Sequence, residues 1–566
     1  MAASGVEEDL VLPDEVLGII CDELGRDRDF VTLYRCAQAS RSFADPALRT
    51  MYQYHEQSPA FLQSDEADPG LAKADFATKY ANAEQAFQRW TTLWRSVIIS
   101  SLPDSKTYKP YCRYLRMLDF RNLLNMVEDP RMARGKLQSS FFGGPMRPFK
   151  IMSSRAWKGM HYVDGSATIN AVGESLTQAA TQIEEIAGDI SPNNLPRWID
   201  RTPKLERLVL WNGNSLVQRA GQSVAKTCDH FSSLTIREWR NILPDDPLAA
   251  DKTCAAFLND LEPDTLEHFE IISYNDIAGN SFTALGRHKS LRDLTLNNLS
   301  RQAVENLNCL KDCTELQILV LEDNEAVQLE AANNDIFTEV VEWLRSCSKL
   351  RDLTLKRFRD GPAILSQVLV SPTVKLTKLS LEGYLVRDTS SRLFHTALSE
   401  QKTLEAVWLR GIGEDVVPDD LTIMVDGLSN IPHLKELVLK EVSDEFQEEH
   451  IMKLALSLPE LEELWTSGDV VSADVLMGLR NLRNLKKLDL YAMTQFRSDE
   501  IIDFISQLDP VTQRGFQLSL MAADPNQGNL SETEQDLIRE LIRTSLDGRF
   551  DFVLWRDADT SDSDSD

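Results

Sequence analysis

One recurring spacing constrains this chain more than any other feature. Six-residue units of the form L-x-x-L-x-L begin at Leu291, Leu316, Leu350, Leu376, Leu434 and Leu485. Looser copies begin at Leu404 and Leu461, and Leu205 and Leu266 continue the series upstream. From Leu266 onward the first leucines of successive units lie between 24 and 34 residues apart. In an extended segment alternate side chains share a face, so the second and third leucines of a unit point the same way. A single unit cannot bury that face and must stack on its neighbours.

This period and pattern are the signature of leucine-rich repeats. Each buried leucine contributes roughly 1.5–3 kcal/mol, so the units together supply a large core. Between them lie helical stripes: Ile336, Phe337, Val340, Val341 and Leu344; Ile451, Leu454 and Leu458; Ile501, Ile502, Ile505 and Leu508. The expected fold is therefore α/β, a curved leucine-rich-repeat solenoid with strands concave and helices convex, spanning 111–555. Its first strand is expected at Tyr114–Phe120 and its last at Arg549–Leu554. Ser531 and Glu534 form the capping box of a closing helix. Residues 124–200 and 212–265 match the repeat poorly, leaving boundaries there open. The turn asparagine of such repeats is met at Asn324, while Phe358, Tyr384, Ile412 and Val442 take its place elsewhere.

The first fifty residues follow another rule. After an acidic lead (1–11), Pro13, Asp14 and Glu15 open a helix whose apolar stripe is Val16, Leu17, Ile20 and Leu24. A turn at Gly25–Asp29 leads to a second helix bringing Leu33, Cys36 and Ala39 together, which Asp45-Pro46 is expected to stop. Some forty residues cannot bury two such faces alone, so the segment (12–50) is either a cap on the first repeat or a module that docks a partner. In the connector (51–110), Ser58 to Lys79 has linker composition, and Trp90, Leu93, Trp94 and Val97 make a stripe expected to seal the array.

The segment Leu12-Pro13-x-Glu15 through Leu33-x-x-Cys36 to Ser40-Arg-Ser-Phe43 resembles an F-box, the helical motif that binds the Skp-type adaptor of cullin–RING ubiquitin ligases. Phe43 stands where the family often carries another aromatic residue. The stretch Leu93 to Leu123 is similar to filamentous-fungal F-box proteins that lead into leucine-rich repeats. The resemblance implies adaptor contacts from Leu12, Pro13, Val16, Ile20, Leu24, Leu33 and Cys36.

On the concave side the middle outward position of each strand is Val209, Thr295, Val320, Thr354, Ser380, Trp408, Val438, Trp465 or Asp489. The C-terminal part of that row is aromatic, and the next outward position adds Arg410, Lys440 and Tyr491. Exposed Trp, Tyr and Arg are enriched at binding hot spots. A target protein is expected to dock on Trp408, Arg410, Val438, Lys440, Trp465 and Tyr491, the bland alternative being that a neighbouring loop or the terminal segment covers the tryptophans.

Other chemistries find little support. The net charge of −28 argues against nucleic acid as the partner. No apolar run reaches the roughly 18 residues of a membrane span, and the N-terminus lacks a secretory signal. The eight cysteines are scattered and contain no C-x-x-C, which fits buried thiols in a reducing compartment, cytoplasmic or nuclear. Cys309 and Cys313 have no histidine at zinc spacing, Asp245-Asp246 and Asp419-Asp420 look like solvated loops, and no phosphate-binding or metalloprotease motif occurs. No metal, cofactor or catalytic set is expected. The tail Asp557–Asp566 is expected to be disordered and solubilising, with Ser561 and Ser563 in settings acidophilic kinases accept.

The expectation is a non-catalytic substrate receptor of a Skp–cullin–F-box ubiquitin ligase, holding the adaptor through the N-terminal helices and a target on the concave face. The alternative is a leucine-rich scaffold or inhibitor that binds protein without promoting ubiquitination.

Overall fold

The computed structural model describes residues 12–57, 76–104, 106–133, 136–154, 162–241, 246–413, 416–443, 445–494, 496–522 and 530–554. The acidic lead, the acidic tail and the linker up to residue 75 lie outside them. Two compact units, Met1–Leu266 and Glu267–Asp566, divide the chain.

The first unit begins with three helices, α1 (Asp14–Arg26), α2 (Phe30–Ala39) and α3 (Arg41–Gln53). Asp29 caps α2 by accepting from the Thr32 amide, and Ser40 caps α3 by accepting from that of Phe43. The second cap explains why Asp45-Pro46 stops nothing: Ser40 has already ended α2 and started α3, which runs through Pro46. Ser42, whose carbonyl loses its partner to the proline ring, is exposed. Cys21, Leu33 and Ala47 are fully buried at the centre of the three helices, with Leu24, Phe30, Cys36, Phe43 and Met51 around them.

So small a core needs support, and α3 receives it. Asp45 accepts from the Tyr114 hydroxyl at 2.8 Å and pairs with Lys109 at 2.7 Å. The Lys109 bond is the main reason its carboxyl sits below the usual range. Tyr52 stacks on Tyr111 and shares a hydrogen bond with Ser96 of α4 (Phe76–Ser100), a helix that begins inside the stretch with linker composition. Trp90, Trp94 and Val97 of α4 are buried and Leu93 half-buried. His55, edge-on to Trp94, is enclosed completely, and burial brings it down to about 4.

Four parallel strands follow: β1 (Met117–Asp119), β2 (Glu185–Gly188), β3 (Arg207–Asn212) and β4 (Ser233–Glu238). β2 and β4 occupy the stretches where the leucine pattern fades. Ile183, just before β2, and Ile186 within it replace the first two leucines, and in the β4 unit Phe231, just before the strand, stands with Leu234 and Ile236 within it. Gly188 fills the third place in β2 because its φ is 139° and a Cβ there would meet that of Phe120 at 2.9 Å.

The second unit is a leucine-rich-repeat solenoid. Its strands are β5 (His268–Ile271), β6 (Asp293–Leu299), β7 (Ile318–Asp323), β8 (Asp352–Lys356), β9 (Lys378–Leu385), β10 (Ala406–Ile412), β11 (Glu436–Lys440), β12 (Glu463–Val471), β13 (Lys487–Thr494), β14 (Gln517–Ala522) and β15 (Arg549–Leu554). Each pairs in parallel with the next. The second apolar positions stack in one row, Leu294, Leu319, Leu353, Leu379, Val407, Leu437, Leu464 and Leu488, all buried. A string of backbone bonds of 2.7–2.9 Å, from Glu267 through Arg292, Gln317, Arg351, Thr377, Glu405, Lys435, Glu462 and Lys486 to Gln517, locks that register. The helices Asn334–Ser346, Glu448–Ser457 and Ser498–Ser506 bury most of their expected stripes, Ile336 and Ile502 being half-buried and Leu458 and Leu508 buried just past the helix ends, and the Ser531–Glu534 box opens the closing helix.

Two polar expectations are corrected. The turn role expected of Asn324 belongs to Asp323, which is buried and accepts from the Glu325 and Val327 amides at 2.8 and 2.7 Å, while Asn324 is exposed. Asp420 is not a solvated loop residue. It lies wholly buried in the helix Pro418–Ser429, accepting from Arg392 and from the Val417 amide. No described helix is long and apolar enough to cross a membrane.

His395, fully buried against the Tyr384 hydroxyl at 3.0 Å, is pushed down to about 3 by burial. Both it and His55 stay neutral when folded but take a proton near 6.5 when unfolded, so the unfolded chain binds more protons as pH falls. Stability is therefore expected to drop between pH about 6.5 and about 4, and His395→Gln should flatten that drop, as measured by the melting temperature across this range.

Candidate protein-docking surfaces

The first surface is built by α1 and α2. The side of α1 opposite Leu17 and Cys21 carries Val16, Ile19 and Ile20, and that of α2 opposite Leu33 carries Val31 and Tyr34. All are exposed, Ile19 and Val31 to 64% and 62%, and Leu12 and Pro13 are exposed beside them. Apolar residues left outside so small a module mark a surface that a partner can cover.

The residues expected here from the motif divide into two groups. Leu12, Pro13, Val16 and Ile20 are outside. Leu33 is 0% exposed at the centre of the core, which corrects its assignment as a contact: it holds the helices together. Leu24 and Cys36 are half-buried against the same core. Ile19, Val31 and Tyr34 were not singled out by sequence, although Ile19 lies three residues after Val16 on one helical face.

The second surface is the outward side of β8–β13. The register aligns Thr354, Ser380, Trp408, Val438, Trp465 and Asp489 in one row, as the pattern of alternation requires. Trp465 stacks on Tyr491 with ring centroids 4.9 Å apart and planes 20° from parallel, and Lys440 lies 5.0 Å from the Trp465 ring centroid. Lys378, which sequence did not single out, holds its ammonium 4.3 Å from the Trp408 ring centroid. Its own period-2 position, two before Ser380, placed it on this face. Trp408, Val438, Trp465 and Tyr491 are half-buried by one another and their neighbours.

Two polar details bear on what can bind. Arg410 is not a free guanidinium but reaches Glu441 with two bonds, at 3.1 and 3.0 Å. The Trp408 Nε1 and the Ser380 hydroxyl are buried without a hydrogen-bond partner among the described residues.

Among the described residues no group of three or more His, Cys, Asp or Glu side chains is placed to hold a metal ion. The thiols are free, and burial pushes Cys21 up to about 11 and Cys228 and Cys347 to about 12, far from the thiolate a nucleophile needs.

Because Val16 and Ile20 support no core, Val16→Asp with Ile20→Asp should leave the melting temperature unchanged. Leu33→Ala should cost roughly 2–5 kcal/mol in denaturant unfolding.

No protein-family model matches the sequence, and no curated protein matches it. Among solved structures the chain is similar to the Rad7 and Elc1 complex in yeast, at 14% identity over 65% of this chain and 86% of that one, with a TM-score of 0.36. It is also similar to internalin InlF of Listeria monocytogenes str. 4b F2365, at 13% identity over 68% of this chain and 96% of that one, with a TM-score of 0.34. The repeat class rests on the chain's own strand register and leucine rows.

Proposed function

We propose that this chain is the substrate-recognition subunit of a Skp–cullin–F-box ubiquitin ligase. The observation that carries the reading is the pairing, in one N-terminal module, of the F-box-like motif with exposed apolar residues on α1 and α2. A helical cap would turn its apolar faces inward, whereas here Leu12, Val16, Ile19, Ile20, Val31 and Tyr34 remain uncovered among the described residues. The Skp-type adaptor is the partner proposed for them, and through it the cullin and its RING subunit. The strand face around Trp408 and Trp465 is the proposed target site.

In this role the chain performs no chemistry. It holds a target near a ubiquitin-conjugating enzyme and raises the effective concentration of the target's lysines at the transferring thioester. A ligase receptor of this kind acts in the cytoplasm or nucleus, where its free thiols, most of them buried, are stable.

Co-purification with a Skp-type adaptor and cullin tests the first half. The wild-type chain should retain adaptor stoichiometrically. Val16→Asp with Ile20→Asp should weaken it at least tenfold per residue, about 1.4 kcal/mol each. Wild-type chain that retains no adaptor contradicts the proposal. For the second half, Trp408→Ala with Trp465→Ala should abolish capture of the target while adaptor binding persists, and undiminished capture would move the target site elsewhere.

A further inference from the structure

The cations on the outward side of β8–β15 follow a rule with two exceptions. Lys356 pairs with Glu382 at 3.9 Å, Arg410 with Glu441 at 3.0 Å, Lys487 with Asp489 at 3.6 Å and Arg549 with Asp551 at 2.7 Å. Lys378 and Lys440 have no carboxylate within ion-pair distance among the described residues, and each lies instead over a tryptophan ring. The aligned acid on β8, Asp352, faces Lys378 in register and acts on it only through space, without an ion-pair contact, its Oδ1 left without a hydrogen-bond partner. In a chain with 88 acidic and 60 basic side chains, two unpaired ammoniums beside the two outward tryptophans are a specific arrangement.

From this charge pattern we infer that the strand face takes an acidic, apolar peptide segment of the target, its carboxylates meeting Lys378 and Lys440 while its apolar side chains cover Trp408, Val438 and Trp465. The inference rests on the strand face being the target site. Each ring already holds a cation, so a second one from a lysine- or arginine-rich partner is repelled. An anion is drawn to an ammonium whose direct contact is an indole rather than a carboxylate. The two tryptophans stand on β10 and β12, two strand spacings or about 10 Å apart, which matches about three residues of an extended segment. The chain's overall negative field does not prevent this, because at physiological salt it is screened beyond about 8 Å and the contact charges decide.

Display of a random linear peptide library against the full-length protein, its K378Q/K440Q variant and its W408A/W465A variant tests the inference. Peptides enriched on the wild type should combine aspartate or glutamate with apolar residues, weaken as salt rises, and lose at least tenfold in affinity for K378Q/K440Q. Neutral or basic peptides that need both tryptophans but neither lysine would overturn the acidic chemistry and keep the face as a protein site. Enriched peptides that need none of the four residues, or no enrichment, would overturn both.

Discussion

Every leucine row in the solenoid depends on contact between one repeat and the next. Leu437 is buried because Val407 and Leu464 flank it on β10 and β12, and each of those is buried by the same logic. The backbone bonds from Glu267 to Gln517 make the stacking exact in register, so a unit cannot slide by one residue without turning its leucines outward. Stability here is a sum of neighbour interfaces, and the sequence period is its visible trace.

The same register creates the outward strand face. Once the inward rows are fixed, the alternate residues form outward rows, and chemistry distant in sequence becomes adjacent. Lys440 reaches the Trp465 ring and Tyr491 stacks on it from the other neighbouring strand, so three successive repeats compose one aromatic group. The N-terminal helices work in the opposite way. Their core is so small that Asp45 and Tyr52 must tie α3 to Tyr114, Lys109 and Ser96, while the far sides of α1 and α2 stay apolar and open.

Period-2 alternation made the strand positions legible: the outward row was countable from the leucines, and Trp408, Val438 and Trp465 fall in it as counted. What the period could not show was the lateral reach of long side chains. Lys378 meets a ring thirty residues away, and Arg410 pairs with Glu441 at the surface. The strands β2 and β4 were missed where Ile183, Ile186 and Phe231 replace leucine and where Gly188 stands because a Cβ would meet Phe120. In the N-terminal module, a motif names residues without saying which way they face, so Leu33 was expected on the surface it in fact supports from beneath. Short-range capping decided the other departures, with Ser40 restarting a helix before Pro46 and Asp420 burying itself to meet Arg392 and the Val417 amide.

The central claim is that one chain bridges an adaptor and a target, each through its own surface. It is tested most directly by ubiquitin transfer to the captured target, reconstituted with the adaptor, the cullin–RING subunits and an equal mixture of two defective chains. One chain would carry Val16→Asp with Ile20→Asp, the other Trp408→Ala with Trp465→Ala. The account predicts that wild-type chain supports transfer and the mixture does not, because neither molecule joins both partners. Transfer restored by the mixture would contradict it.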